Sequence, residues 1–333
     1  MCHRGENSPS ARRRISGRTE RVGDGEQWTF FDDSLSVRVG AATHVGKIRK
    51  VNEDGFGIAP GAYVVADGMG GHKSGDVASS LALEAVRDLV AGGIPSVALL
   101  TAVVDDANAH VRDHAASEGR IGMGSTLVGA LVVRNSDALS VAVVNVGDSR
   151  CYTLVGGHFR QVTTDHSLVQ EMVERGELTT EQARTHPDRN VVTRAIGIDE
   201  SVAGDFVILP ELPVSRLLLC SDGVHGELSD EAISSVLNYF EDPQEAADAV
   251  IARVLESPAR DNATAVVVDV RRASVGSGEA IAEVTGPRPS THAVPKVGPD
   301  CDAGEMITDV PAAVPVERST LTNTRSVIDE VPR

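Results

Sequence analysis

Apolar residues recur along the middle of the chain with two spacings, one typical of strands and one typical of helices. Short runs rich in β-branched residues, each bounded by Gly, Asp, Asn or Pro, predict six strands. These predicted strands lie at residues 63–65, 127–133, 139–146, 206–209, 217–220 and 265–270. Apolar positions three and four residues apart predict five helices. These predicted helices lie at about residues 75–91, 96–116, 167–176, 229–238 and 243–256.

The order of the predicted elements indicates the fold class. The strands cluster before and after the helices and do not alternate strictly with them. This order favours an α+β fold over a doubly wound parallel sheet. We therefore expect two packed antiparallel β-sheets, a β-sandwich, flanked by α-helices.

The two ends of the chain lack this periodicity. Residues 1–33 hold six arginines and six acidic residues with little hydrophobic pattern, which predicts a disordered N-terminal arm. Residues 271–333 hold seven of the 15 prolines and no Phe, Tyr or Trp, which predicts a disordered, proline-containing C-terminal tail. The expected organisation is therefore one domain of ordinary size at residues 34–270, between two extensions.

The charge balance excludes some classes of partner. The chain has 31 basic and 48 acidic residues, a formal net charge of −17. The predicted domain alone holds 18 basic and 33 acidic residues, a balance of −15. Non-specific binding to nucleic acid or to anionic membranes needs an excess of Lys and Arg, so neither is expected.

Cysteine usage and hydropathy indicate a cytoplasmic protein. The four cysteines form no CxxC pair, which argues against a disulfide scaffold and against the usual zinc-finger spacings. No secretory signal is visible at the N-terminus. The longest uncharged run, residues 89–104, is interrupted by Gly and Pro and is shorter than the ~20 residues of a membrane span.

Acidic residues stand where several predicted strands end. Three apolar strands run into an aspartate beside a glycine, at Asp67-Gly68, Gly147-Asp148 and Asp222-Gly223. Asp261 lies just before the last predicted strand, and Glu53-Asp54 lies in a loop after Arg49. One Asp-Gly pair is most often a turn. Three of them at strand ends indicate instead a site that a rigid sheet holds in place.

Convergence of these acids would require cations. Two unit charges ~4 Å apart interact by about 4 kcal/mol at an effective dielectric constant near 20. Six carboxylates could stay ionised together only with positive ions among them. An all-oxygen ligand set favours Mg²⁺ or Mn²⁺ over zinc or copper, and two or three such ions would balance six carboxylates. Spacing along the chain leaves open whether they do converge.

Seven short segments are spread over about residues 45–270, and five of them contain these acids. The segments are Arg49-Lys-Val-Asn-Glu53-Asp54, Ala66-Asp67-Gly68-Met69-Gly70-Gly71, Met123-Gly124-Ser125-Thr126, Asn145-Val-Gly147-Asp148-Ser149-Arg150, Thr164-Asp165-His166-Ser167, Cys220-Ser221-Asp222-Gly223 and Asp261-Asn262-Ala-Thr264. In this order along the chain they resemble the metal-dependent protein phosphatases of the protein phosphatase 2C family in their bacterial form.

The resemblance implies a metal centre at one end of the two-sheet sandwich, with a role for each matching residue. The implied ligands of a first and a second ion are Asp67, which would bridge the two, the Gly68 carbonyl, Glu53, Asp222 and Asp261. The other implied roles are those of Asp54, which would orient a coordinated water, of Asp148, which with Asp222 would hold a weaker third ion, and of Arg49, which would clamp the substrate phosphate.

The implied activity is that of a serine/threonine protein phosphatase. A hydroxide bridging two Mn²⁺ or Mg²⁺ ions would attack phosphorus directly, without a phosphoenzyme. The implied partners are phosphorylated proteins, substrates of bacterial Ser/Thr kinases, and the expected state is a monomer. Two alternatives are kept: a phosphatase of an anti-sigma-factor antagonist, and a non-catalytic family member that binds a phosphoprotein. The second alternative predicts the loss of a metal aspartate, and none is lost.

One departure concerns the proton donor to the leaving group. Animal members have a histidine where this chain has Met69. Bacterial relatives often have Met at this position too. His72 is a candidate donor, and an ordinary exposed loop histidine is the simpler interpretation. Residues 167–195 are expected to form the flexible flap of the family, which would influence which phosphopeptides bind.

Overall fold

The computed structural model describes residues 20–21, 26–30, 35–70, 74–120, 122–136, 138–209 and 214–272, and these contain thirteen strands and seven α-helices. The strands are β1 (Glu20–Arg21), β2 (Glu26–Phe30), β3 (Leu35–His44), β4 (Asp54–Ala59), β5 (Ala62–Met69), β6 (Gly124–Ser125), β7 (Leu127–Asn135), β8 (Ala138–Val146), β9 (Arg150–Val155), β10 (His158–Gln161), β11 (Asp205–Ile208), β12 (Val214–Cys220) and β13 (Ala263–Arg272). The helices are α1 (Gly75–Ala91), α2 (Leu100–Ser117), α3 (Leu168–Glu174), α4 (Thr180–Arg184), α5 (Asp222–His225), α6 (Asp230–Tyr239) and α7 (Pro243–Glu256), and a 3₁₀ turn at Val97–Leu99 precedes α2.

Two antiparallel sheets form the centre of the molecule. The first sheet has the order β1-β3-β13-β12-β9-β10, and β2 also pairs with β3. The second sheet has the order β11-β8-β7-β5-β4, and β6 pairs antiparallel with the end of β5. The predicted α+β sandwich of antiparallel sheets is therefore confirmed.

Strand residues alternate between two apolar layers because successive side chains of a strand point to opposite faces. Tyr63 and Val65 join the core between the two sheets, together with Val266 and Val268 of β13. The next residue along, Val64, packs on the opposite face, in the core between the second sheet and helices α1 and α2. A third core lies between the first sheet and helices α5 to α7. The order of layers is helix, sheet, sheet, helix.

All six predicted strands and all five predicted helices are present, and two helices have the predicted bounds. The prediction missed seven of the strands, β1 to β4, β6, β9 and β10, and the two short helices α4 and α5. The sequence of β3 includes Gly40, Ala41 and Ala42, and β4 contains two glycines, so neither carries the run of β-branched residues by which a strand is recognised.

Part of the predicted disordered arm pairs with the first sheet. Strands β1 and β2 lie within residues 1–33, and their backbones pair with β3 in antiparallel register. In the β2 sequence Trp28 and Phe30 alternate with polar residues, which is a strand pattern. The remaining residues of the arm, and the predicted tail beyond Arg272, lie outside the described residues. In the described part of the chain, no helix is long and apolar enough to cross a bilayer.

Helix α7 lies directly against the backbone of β3. Asp242 caps the helix by accepting hydrogen bonds from the backbone N–H groups of Gln244 (2.8 Å) and Glu245 (3.2 Å). The Gln244 side chain then binds both the N–H and the C=O of Ala41, at 3.1 and 3.0 Å. A Cβ atom on Gly40 would come within 2.2 Å of the Gln244 nitrogen. Only glycine allows the helix to approach β3 this closely.

We expect Gly40→Ala to lower the free energy of unfolding by about 3 kcal/mol, because the added methyl group overlaps backbone atoms that cannot rotate away. Gly57→Ala in β4 is the matched control, since its Cβ would meet only side-chain carbons, at 3.4 Å or more. Urea unfolding followed by circular dichroism measures both. Equal midpoints for the two variants would contradict the close approach of α7 to β3.

Candidate metal centre

The six acids singled out in the sequence lie at one end of the sandwich, at the ends of strands from both sheets. We call them the acid cluster: Glu53, Asp54, Asp67, Asp148, Asp222 and Asp261. Asp54 begins β4 and stands opposite Asp67 of β5 in the antiparallel register. Asp148 follows β8 of the same sheet, Asp222 opens α5 directly after β12, and Asp261 precedes β13.

Burial and mutual repulsion raise the pKa values of four aspartates in the cluster. Burial raises the pKa of Asp67 well above its ordinary value, and charges on Asp54, Asp222, Asp148 and Asp261 raise it further. Burial is also the main cause for Asp54, with a pKa of about 7, for Asp148, at about 8, and for Asp222, at about 6. The four aspartates lie close enough to one another and to Asp261 for neighbouring charges to raise their pKa values, and the charge of Asp261 also raises the pKa of Glu53. The structure therefore brings the six acids together.

A chain of hydroxyl groups holds Asp54. Its Oδ2 accepts hydrogen bonds from Ser221 Oγ (2.7 Å) and Thr264 Oγ1 (2.8 Å). Thr264 Oγ1 is in turn 2.6 Å from Thr43 Oγ1, which accepts a bond from Asn52 Nδ2 (2.9 Å). The other carboxylate oxygen, Asp54 Oδ1, is buried and has no hydrogen-bond partner among the described residues. No local sequence signal indicates the bond from Ser221 to Asp54, because the two residues are 167 positions apart.

Glu53 lies against the N-terminus of α1. Burial raises the pKa of Glu53, and a hydrogen bond from the Gly75 backbone N–H partly opposes that rise. A Cβ on Gly75 would stand 2.7 Å from Glu53 Oε1 and 2.6 Å from the Gly68 carbonyl oxygen. Gly75 therefore lets the start of the helix approach both groups, a role that no sequence signal had indicated.

Arg49 and Asp261 form an ion pair at the edge of the cluster. Arg49 Nη2 donates to Asp261 Oδ2 at 2.7 Å, and the guanidinium remains half exposed. Asn262 fixes the loop that carries Arg49, because its Nδ2 donates to the carbonyls of Val45 and Val51, both at 3.0 Å. One bond to Asp261 leaves the guanidinium several N–H donors for an anion.

Two histidines hold the segment around Asp148. His225 Nε2 donates to the backbone carbonyl of Asp148 at 3.0 Å, and burial lowers the pKa of His225 to about 3, so the imidazole is neutral. His166 Nδ1 accepts from the Gly147 N–H at 3.1 Å, and its Nε2 lies 3.3 Å from Asp205 Oδ2. The His166 carbonyl accepts from Thr193, which links this segment to the predicted flap.

The predicted flap contains α3 and α4 and returns to its start through a bridge between Ser167 and Val192. Met69 ends β5 beside the cluster, where its backbone pairs with Gly124. His72 lies outside the described residues, so its candidacy as proton donor stays a prediction.

The donor set fits hard divalent cations. Asp54 Oδ1 and Asp222 Oδ1 are buried oxygens with no hydrogen-bond partner within the described residues, and oxygen ligands suit Mg²⁺ and Mn²⁺. Among those residues, no three Asp, Glu, His or Cys side chains already surround a common point as ligands. Hydroxyl groups hold one oxygen of Asp54, and Arg49 holds one oxygen of Asp261.

Known proteins share this chain's sequence and fold. Residues 50–265 match the family model described as Protein phosphatase 2C. The chain is 36% identical to serine/threonine phosphatase stp of Listeria welshimeri over 242 residues, which cover 68% of this chain and 93% of the relative.

Solved structures match over the same region. The crystal structure of the Mycobacterium tuberculosis serine/threonine phosphatase PstP/Ppp has a TM-score of 0.64 and 34% identity, and covers 71% of this chain and 99% of that chain. A crystal structure of the PstP catalytic domain in complex with two manganese ions has a TM-score of 0.63 and 33% identity, with the same coverage.

We expect the stability of the protein in EDTA to fall as the pH rises from 5 to 8. The folded-state pKa values of Asp54, Asp148 and Asp222 lie above the ordinary value of 3.8, so the folded state holds more protons than the unfolded state in this range. The free energy of unfolding then decreases with pH. Scanning calorimetry should give a midpoint several degrees lower at pH 8 than at pH 5.

With saturating Mn²⁺ the order should reverse, because the cation binds the ionised carboxylates and not the protonated ones. Asp222→Asn removes one titrating group and should reduce the slope in EDTA. A midpoint in EDTA that rises steadily from pH 5 to pH 8 would show that the cluster is not buried as described.

Proposed function

Because the chain belongs to the protein phosphatase 2C family, we propose that the acid cluster and Arg49 carry out the metal-dependent reaction of that family. The chain is a metal-dependent serine/threonine protein phosphatase, and its substrates are phosphoproteins. The observation that supports the assignment of the site is the convergence of six acids, from both sheets, beside one half-exposed arginine.

Two to three divalent ions are the proposed complement of the cluster. The PstP catalytic domain was crystallised with two manganese ions, and either Mn²⁺ or Mg²⁺ suits an all-oxygen ligand set. Asp67 and the Gly68 carbonyl are the proposed central ligands. The proposed ligands around them are Glu53, Asp222 and Asp261, and Asp148 joins Asp222 at a third, weaker position.

The bound ions would supply an activated water near neutral pH and positive charge beside the phosphoryl oxygens. Arg49 would hold the substrate phosphate through its remaining N–H donors, a planar arrangement that suits a phosphate group. Asp54 is the proposed orienting group for water. Its Oδ2 is fixed by Ser221 and Thr264, and this leaves its Oδ1 to accept a hydrogen bond.

The cysteines of the domain support direct attack by water over a thiol nucleophile. Cys151 and Cys220 are fully buried in the first sheet, and burial raises the pKa of both thiols. A nucleophilic cysteine needs the opposite, an exposed thiol with a lowered pKa.

The proposed setting is bacterial signalling. The enzyme would act in the cytoplasm as a monomer on the products of Ser/Thr kinases, without binding nucleic acid or membranes. Its catalytic domain would span residues 34–270, with extensions at 1–33 and 271–333. Reduced, buried thiols and the excess of acidic residues support this setting.

We expect Mn²⁺-dependent hydrolysis of p-nitrophenyl phosphate and of a phosphothreonine peptide, abolished by excess EDTA. Asp222→Asn removes a charge at constant shape and should lower kcat at least about 100-fold, with weaker Mn²⁺ binding by calorimetry. Asp113→Asn, an exposed position on α2, is the matched control and should keep full activity. Metal binding without turnover of either substrate would favour a phosphoprotein-binding member of the family.

We expect Arg49→Ala to lower kcat/KM for p-nitrophenyl phosphate by about 10- to 100-fold, mainly through KM, because charge-assisted hydrogen bonds to phosphate are lost. Arg49→Lys should fall between this variant and the wild type, since lysine keeps the charge and loses the planar donors. Arg87→Ala, at an exposed position late in α1, is the control. Mn²⁺ titrations of each variant separate loss of phosphate binding from disturbance of Asp261; an unchanged KM in Arg49→Ala would contradict the proposed role.

A further inference from the structure

We propose that the exposed loop at residues 47–51 binds the substrate segment beside the phosphorylated residue and selects acidic and apolar neighbours. We call these five residues the docking loop. The inference rests on the proposed function, because it assumes that Arg49 binds the phosphate. It adds a preference for the surrounding sequence, which the phosphate site itself does not provide.

The docking loop is a basic segment in an acidic domain. It reads Lys47-Ile48-Arg49-Lys50-Val51, three basic residues and no acid, and all five are exposed. The whole chain contains four lysines, and two of them are in this loop. In a domain with a charge balance of −15, a substrate rich in acidic residues would be repelled from most of the surface and attracted here.

Hydrogen bonds hold the backbone of the loop at both of its ends. The Lys47 N–H donates to the Ala259 carbonyl at 2.8 Å, and Asn262 holds the carbonyls of Val45 and Val51. Lys47 Nζ donates to the carbonyl of Ser257 at 2.9 Å, so this ammonium is occupied by the protein. A fixed loop loses little conformational entropy when a peptide binds, which favours recognition by it.

Two apolar side chains stand in solvent on either side of Arg49. Ile48 is 69% exposed and Val51 is 41% exposed. One exposed apolar residue is ordinary on a protein surface. These two residues precede and follow the proposed phosphate ligand in the chain, so each offers an apolar contact to a peptide bound at Arg49.

Lys50 provides the charge that the substrate would meet. Within the described residues it forms no ion pair or hydrogen bond, whereas Lys47 is bound to Ser257. An acidic side chain near the phosphorylated residue would pair with the Lys50 ammonium. An apolar side chain next to it would cover Ile48 or Val51. The substrate class is therefore a phosphopeptide with acidic and apolar residues beside the phosphothreonine or phosphoserine.

Steady-state kinetics on matched peptides test the proposal. Three phosphothreonine peptides of equal length would carry Glu-Leu, Lys-Leu or Glu-Ser pairs on both sides of the phosphothreonine. For the wild type, kcat/KM with Glu-Leu should exceed that with Lys-Leu by about three- to five-fold, the size of one or two exposed ion pairs. It should also exceed that with Glu-Ser by about five-fold, from partial burial of an apolar side chain.

Variants assign these preferences to the loop. Lys50→Glu should reverse the ratio between the Glu-Leu and Lys-Leu peptides, and 0.5 M NaCl should bring the ratio closer to one in both proteins. Ile48→Ser should remove the advantage of Glu-Leu over Glu-Ser. The matched controls are Arg87→Glu, an exposed position on α1 about 18 Å along the helix from its N-terminus at the metal centre, and Leu99→Ser, an exposed position in the 3₁₀ turn before α2. Both should keep the wild-type ratios.

Turnover of p-nitrophenyl phosphate distinguishes a failure of the proposed phosphatase function from a failure of the proposed docking loop. If neither p-nitrophenyl phosphate nor any peptide is hydrolysed with Mn²⁺, the proposed function fails. If all substrates are hydrolysed but Lys50→Glu and Ile48→Ser leave the peptide ratios unchanged, the proposed role of the docking loop is wrong. The proposed phosphatase function is then unaffected.

Discussion

Electrostatic repulsion between buried carboxyl groups is the constraint around which this end of the molecule is organised. Asp54, Asp67, Asp148 and Asp222 each have a raised pKa because they are buried close to one another. Buried groups of like charge are tolerable only when protons, hydrogen-bond donors or cations compensate them. The structure supplies some donors, and the remaining need for positive charge is one that divalent ions are suited to meet.

The position of each acid depends on contacts between segments that are distant along the chain. Ser221 and Thr264 reach Asp54 across 167 and 210 residues, and Asn262 ties the loop that carries Arg49 to the turn that carries Asp261. Close backbone approach at Gly75 brings the start of α1 to Glu53. The site is thus held by the same hydrogen bonds that join the two sheets at this end, so its geometry and the stability of the fold are linked.

Much of the fold could be predicted from the sequence, and the elements that were missed have physical reasons for it. Strands such as 127–135 and 263–272 are buried on both faces and appear as apolar runs, whereas β3 and β4 carry glycines and alanines where helices pack closely against them. The acids were visible as Asp-Gly pairs at strand ends, but only the family resemblance indicated that they meet. His225 and Gly75 could not be found from sequence because their roles depend on which residue lies opposite them in space, and no local pattern records that.

The pairing of β3 with β13 joins the first long strand of the described residues to the last one. It consists of ten residue pairs, from His44 opposite Ala263 to Leu35 opposite Arg272. Because β13 lies between β3 and β12 in the first sheet, that sheet remains in two parts until the final strand is available. During synthesis on the ribosome, β3 therefore waits with an open edge while more than two hundred residues are added. Asp261 and Thr264 arrive with the same last segment, so a nascent or truncated chain lacks both a closed sheet and a complete site.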